Sequence, residues 1–133
     1  MTITPQPLAL TRIASAPRSI SGHQVYAGGA VYCAIKHAVA ALTQGLRLDL
    51  LGTRVRVSSF DPGMVETEFS FVRFRGDTER AAKIYVGMDP IRPEDVADAI
   101  LYAVTRPAHV NIGEIVLWPT DQASTRDVHR AGS

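Results

Sequence analysis

Between residues 30 and 51 the apolar side chains Val31, Ile35, Ala38, Val39, Leu42, Leu46 and Leu50 recur at steps of three and four. That period predicts a long amphipathic helix. Gly52 follows as a natural C-terminal stop. Directly behind it, residues 55–60 alternate and then break at Asp61-Pro62-Gly63, the pattern of a strand that ends in a turn. Helix, tight turn and strand in this order are half of a βαβ arrangement and select an α/β fold. A second stripe on the same helix, Ala34, Ala38, Ala41 and Gly45, consists of small residues that let another surface approach closely. It suits packing against a sheet and contact with a second subunit equally well.

The flanks are less regular. Pro5, Pro7 and Pro17 break residues 1–18, which read as an irregular N-terminal segment with at best a short strand over 8–13. Residues 70–88 form a polar, helix-compatible insert in which Arg73 and Arg75 could offer bidentate partners to an anion, with a solvated surface as the preferred reading. Arg54 and Arg56 read as solvated surface too. Pro93-Glu94-Asp95 opens a further helix, with Pro in the first turn and two acids at the positive dipole end. Its predicted buried face is Val96, Ala99, Ile100, Ala103 and Val104, and Arg106-Pro107 closes it. Residues 112–118 read as a final strand, and the chain continues as a polar tail. The resulting division is an irregular segment at 1–18, a domain at 19–125 and a tail at 126–133.

With 133 residues, 46% of them hydrophobic, the chain suffices for one domain with a modest core. A net charge of +1 gives no electrostatic case for nucleic acid or an anionic membrane. Cys33 is the single cysteine, which rules out an intrachain disulfide and a cysteine metal site. His109 and Asn111 read as turn residues, so no metal site is predicted. No apolar run approaches the ~18 residues of a membrane span, and no basic-then-apolar leader pattern stands at the start. A soluble, cytoplasmic protein is expected.

The chemistry gathers at Tyr32 and Lys36. Four residues apart on a helix, they share one face with Cβ atoms roughly 5–6 Å apart. A free phenol, with a pKa of about 10, transfers protons poorly at neutral pH. An ammonium within ~5 Å favours a phenolate by roughly 3 kcal/mol at an effective dielectric near 20. Such a phenol is suited to acid–base work near pH 7. Ser19 lies thirteen residues before Tyr32, beyond the turn at Gly28-Gly29, so the chain can return its hydroxyl to the phenol. The second constellation is Pro62, Gly63, Met64, Val65, Glu66, Thr67, Glu68 and Phe69. It follows a predicted strand, and ligands on open parallel sheets sit at the carboxyl ends of strands. Gly63 permits close backbone approach, and Thr67 offers a hydroxyl to a carboxamide or phosphate.

Ser, thirteen residues to Tyr, then Tyr-x-x-x-Lys, followed by Pro-Gly-x-Val-x-Thr, resembles the short-chain dehydrogenase/reductase family. Residues 61–77, 106–112 and 119–122 are most similar to its NADP-dependent 3-hydroxy acid dehydrogenases, also described as serine or allo-threonine dehydrogenases. The resemblance implies the C-terminal half of a doubly wound parallel, Rossmann-like sheet with flanking helices. It implies Tyr32 as the acid/base at the substrate oxygen, Lys36 as its tuning partner and ribose ligand, and Ser19 as the donor that polarises the carbonyl. Residues 62–69 would carry the nicotinamide contacts, residues 70–88 a lid, and the helix with the small-residue stripe a homo-oligomer interface; members usually form tetramers. The implied activity is NADP(H)-dependent interconversion of small 3-hydroxy acids, or related alcohols, with their carbonyl forms, NAD being a further candidate coenzyme.

Two departures stand out. The family runs a buried strand directly into the serine, where this sequence has Ser15-Ala16-Pro17-Arg18. No Gly-x-Gly-x-x-Gly or Gly-x-x-x-Gly-x-Gly occurs anywhere, so the turn that would receive a pyrophosphate is missing. Two readings therefore stand side by side. One is an oxidoreductase or its catalytic half. The other is a truncated, catalytically silent chain, a fragment or an association module, with weak or no coenzyme affinity.

Overall fold

The structure, a computed structural model, describes residues 13–67 and 78–132. Glu68, Phe69, Arg73 and Arg75 lie outside these, as does most of the weak strand expected over 8–13. Three parallel strands, β1 (Ile13–Pro17), β2 (Arg56–Pro62) and β3 (Glu114–Leu117), form a sheet in that order. A long helix α1 (Ala30–Asp49) connects β1 to β2. Two helices, α2 (Thr78–Lys83) and α3 (Pro93–Val104), lie between β2 and β3. The described part is thus an α/β fold built from parallel crossovers, as expected.

β2 is the centre. Both its edges are paired, Ile13 to Pro17 against Arg56 to Phe60 on one side and Ser59 to Pro62 against Glu114 to Leu117 on the other. Every residue from Arg56 to Asp61 is buried. Val57 and Phe60 join Ile20, Cys33, Ile91 and Ala103 in the apolar core. Beside β2 the ladder is extended by a side chain. Asn111 accepts from the Val57 N–H (2.8 Å) and donates to the Val57 carbonyl (3.1 Å), so it stands in for a strand residue ahead of β3.

Several expectations need correction. β1 occupies residues that the prolines suggested were irregular. The Arg18 N–H donates to the Phe60 carbonyl, so Pro17, one residue earlier in the alternation, directs its missing donor away from β2 and costs the ladder nothing. The strand therefore does run into Ser19. The expected strand over 112–118 shortens to β3 because Asn111 takes over part of the pairing. Arg56 is buried rather than solvated. Its guanidinium donates to the carbonyls of Val104 (2.7 Å), Arg106 (3.0 Å) and Val110 (3.1 Å), capping the end of α3.

α1 turns a different face inward from the one its apolar period suggests. Cys33 and Thr43 are its buried residues, whereas Val31, Ile35 and Leu42 are 76%, 56% and 62% exposed. Ile35 and Leu42 stand about 180–200° round the helix from Cys33, so both faces cannot meet the same sheet. Ala34, Ala38 and Ala41 are exposed as well, which removes sheet packing as the account of the small-residue stripe. Among the described residues no helix is long and apolar enough to cross a membrane.

Candidate active site

The site begins where β1 ends. Ser19 is extended and precedes a single 3-10 turn (Ile20–Gly22), its hydroxyl accepting from the Ser21 N–H at 3.2 Å. Arg18 beside it is buried. Its Nε lies 3.0 Å from Asp61 Oδ1, and its Nη1 donates to Glu114 Oε1 (2.9 Å) and Ser59 Oγ (3.2 Å). His23 Nε2 reaches Asp61 Oδ2 at 3.1 Å. Burial pushes the Asp61 carboxyl above its ordinary range, while His23 and Arg18 act to lower it. The ligand atoms of His23, Asp61 and Glu114 lie within 4.8 Å of one another, but the cluster carries its own cation in Arg18. It clamps the ends of all three strands.

The turn before α1 is set by a ring. Gly29 lies under Tyr26 so closely that a Cβ there would fall 2.3 Å from the Tyr26 ring. A side chain at residue 29 would have to displace that ring, and the helix starts one residue later. Tyr32 and Lys36 follow in its first two turns, both half-buried, with Lys36 Nζ 5.5 Å from the centre of the Tyr32 ring.

The loop after β2 is pinned from three directions. The Gly63 N–H donates to the Leu117 carbonyl (2.8 Å), and the Met64 N–H donates to Gln122 Oε1 (2.9 Å). Val65 and Ile91 form a parallel bridge, and the Tyr85 hydroxyl donates to the Val65 carbonyl (2.7 Å). A Cβ on Gly63 would stand 2.4 Å from Gln122 Oε1. The loop's path therefore depends on glycine.

These three segments border one cavity of about 770 Å³. Ser19, Tyr32, Lys36, Pro62, Gly63, Met64, Val65 and Thr67 all line it. Glu66 belongs to the same loop but is exposed and outside the lining. The wall also includes Gln122 and three residues that the sequence motifs do not mark: Tyr26, Tyr85 and Arg126. Gln122 closes the stretch 119–122, which was a sequence signal without an assigned role. Arg126 sits in the presumed polar tail, which instead folds back: His129 N–H donates to the Asp121 carbonyl and Ala131 N–H to the Gly87 carbonyl, both at 2.7 Å. The cavity's charged lining residues are Arg18, Lys36 and Arg126, and no carboxylate is among the described residues that line it. Such a pocket favours anionic ligands.

Comparison with known proteins agrees with the motif reading. The family described as short chain dehydrogenase matches residues 17–76. An NADP-dependent 3-hydroxy acid dehydrogenase of Schizosaccharomyces pombe is 45% identical over 112 residues, 84% of this chain and 43% of that protein. A serine 3-dehydrogenase of Agrobacterium fabrum is 41% identical over 105 residues, 79% of this chain and 42% of that protein. Among solved structures, a closed form of serine dehydrogenase complexed with NADP+ superposes with a TM-score of 0.82 at 43% identity, over 89% of this chain and 48% of that one. The chain thus spans under half the length of the relatives it matches.

Proposed function

Since the chain belongs to the short-chain dehydrogenase family, we propose that its cavity is the catalytic half of an NADP(H)-dependent oxidoreductase site for small 3-hydroxy acids or related alcohol–carbonyl pairs. The observation that carries this reading is the meeting of Ser19, Tyr32, Lys36 and the loop after β2 around one cavity, with Lys36 5.5 Å from the Tyr32 ring. The names of the relatives, which include NADP-dependent and serine dehydrogenases, supply the coenzyme and the substrate class.

Lys36 and the hydroxyls of Ser19, Tyr32 and Thr67 offer hydrogen-bond donors of the kind that the ribose and carboxamide of a nicotinamide nucleotide take. Tyr32, Lys36 and residues 62–69 would hold the nicotinamide–ribose end, and bound NADP(H) supplies or accepts the hydride. The protein's own part is the proton. Tyr32 takes the hydroxyl proton when the substrate alcohol is oxidised and returns it to the oxygen when the carbonyl is reduced. Lys36 stabilises the phenolate between those events. Ser19 donates to the same oxygen, stabilising negative charge as it develops there.

A second reading is favoured by the exposure of Val31, Ile35 and Leu42 on α1. Exposed apolar surface of this kind marks an association face, and the adjoining stripe of Ala34, Ala38, Ala41 and Gly45 would let helices pack closely. In this reading the chain is catalytically silent and self-associates into a homo-oligomer through α1.

Titrating the chain with NADPH and with NADH, followed by nucleotide fluorescence, separates the two. The catalytic reading expects saturable binding that weakens in Lys36→Ala, and carbonyl reduction that disappears in Tyr32→Phe while binding persists. A folded chain that binds neither nucleotide sinks it and leaves the association module.

A further inference from the structure

We propose that Arg126 is the receptor for the substrate's carboxylate, an assignment that rests on the reading of the cavity as a hydroxy-acid site. Arg126 lines the same cavity as Ser19 and Tyr32, although it lies over ninety residues further along the chain. Its side chain is held in place. Nη2 donates to the Ala27 carbonyl, and the guanidinium carbon stands 5.5 Å from the centre of the Tyr26 ring, a cation–π contact. The backbone is anchored too, by the Thr125 N–H to Gln24 Oε1 (3.1 Å) and the Arg126 N–H to Ser124 Oγ (3.1 Å).

The charges around it leave room for an anion. Arg18 is committed to Asp61 and Glu114, and Lys36 stands over Tyr32. Among the described residues no carboxylate pairs with Arg126; its neighbour Asp127 instead accepts from Ser124 Oγ at 2.6 Å. A guanidinium has five N–H donors, and one here is spent on a carbonyl. What remains matches a carboxylate, which takes two parallel N–H bonds from an arginine fork. Held by its carboxylate at Arg126, a small hydroxy acid would present its hydroxyl to the Ser19 and Tyr32 side of the cavity. A neutral diol would lack that anchor. Arg126 is thereby a specificity residue, not an acid or base.

The same fork would also accept a nucleotide phosphate, so the test separates the two anions. The full chain, Arg126→Gln and Arg126→Lys are each titrated by saturation-transfer NMR with 3-hydroxybutyrate and with 1,3-butanediol, and by fluorescence with NADPH. The expected result is 3-hydroxybutyrate binding weakened about ten- to a hundredfold in Arg126→Gln, partly kept in Arg126→Lys, with diol and NADPH affinities unchanged. Unaltered 3-hydroxybutyrate binding in Arg126→Gln overturns the proposal. So does NADPH binding weakened as much as the acid's, which would assign the fork to a phosphate, and so does a full chain that binds no 3-hydroxybutyrate. Failure of the dehydrogenase reading shows separately, as NADPH binding that is absent from the full chain or indifferent to Lys36→Ala.

Discussion

Arg18 and Asp61 face each other at 3.0 Å with side chains 3% and 0% exposed, and each directly precedes a segment that borders the cavity. Ser19 follows the arginine, and Pro62 follows the aspartate. The pair thus fixes the spacing between the ends of β1 and β2, and Glu114 of β3 joins it from the other side of the arginine.

Asp61→Ala removes both carboxylate oxygens, so the buried Arg18 Nε and His23 Nε2 each lose the atom they face. Leaving buried donors without their acceptors costs about 1–3 kcal/mol each. Glu114 is 43% exposed at its side chain, so Glu114→Gln should cost about 1 kcal/mol or less. Urea unfolding at pH 7 compares them. Equal losses would contradict the dominance of the buried partner.

The raised Asp61 pKa sets the sign of a pH effect. The folded state holds this proton to higher pH than the unfolded chain, whose value is near 3.8. The folded state then binds more protons in the interval above that value, so the stability from this group is complete below it and falls as pH rises to the folded value. Unfolding free energies measured from about pH 4 upward should decline more steeply for the unaltered protein than for Asp61→Asn. Parallel profiles would count against the assignment.

Gly63→Ala places a methyl against Gln122 Oε1 and within 3.0 Å of Pro119 Cδ. Gln122 must swing away and abandon the Met64 N–H, a loss of about 1–3 kcal/mol. In a Gln122→Ala background the same change should cost measurably less, since the clashing oxygen is gone. Strict additivity of the two changes would rule out this coupling.

Arg56→Met keeps the bulk of the stem but removes the donors to three carbonyls beyond and at the end of α3. A loss of about 2–4 kcal/mol is expected, with faster amide exchange at the C-terminal turn of α3 as its signature. Loss of stability with unchanged exchange there would mean that Arg56 acts elsewhere.

Sequence pattern carried the architecture well where periodicity reports a local requirement. The extent of α1, the strand ahead of Pro62 and the opening of α3 at Pro93 follow from spacing and capping signals that tertiary contacts leave intact. The Tyr32–Lys36 pair and the Pro62-Gly63 loop were legible for the same reason, since each is a short motif. What stayed hidden depends on partners distant in sequence. Pro17 looked disruptive because nothing local tells which edge of a strand its missing donor faces. Arg56 looked solvated because the carbonyls it caps lie about fifty residues away. The inward face of α1 was misjudged because its most apolar stripe is not the stripe that meets β2. Arg126 escaped notice inside a run that composition alone describes as a polar tail.

That last segment has a bearing on the site. Within residues 119–132, Gln122, Thr125 and Arg126 form part of the cavity wall, and the backbone bonds of His129 and Ala131 fold the rest of the stretch back. A protease that trims inward from this side would breach the cavity while the three-stranded sheet still stood. Cutting the chain between residues 119 and 126 is therefore an intervention in the site itself.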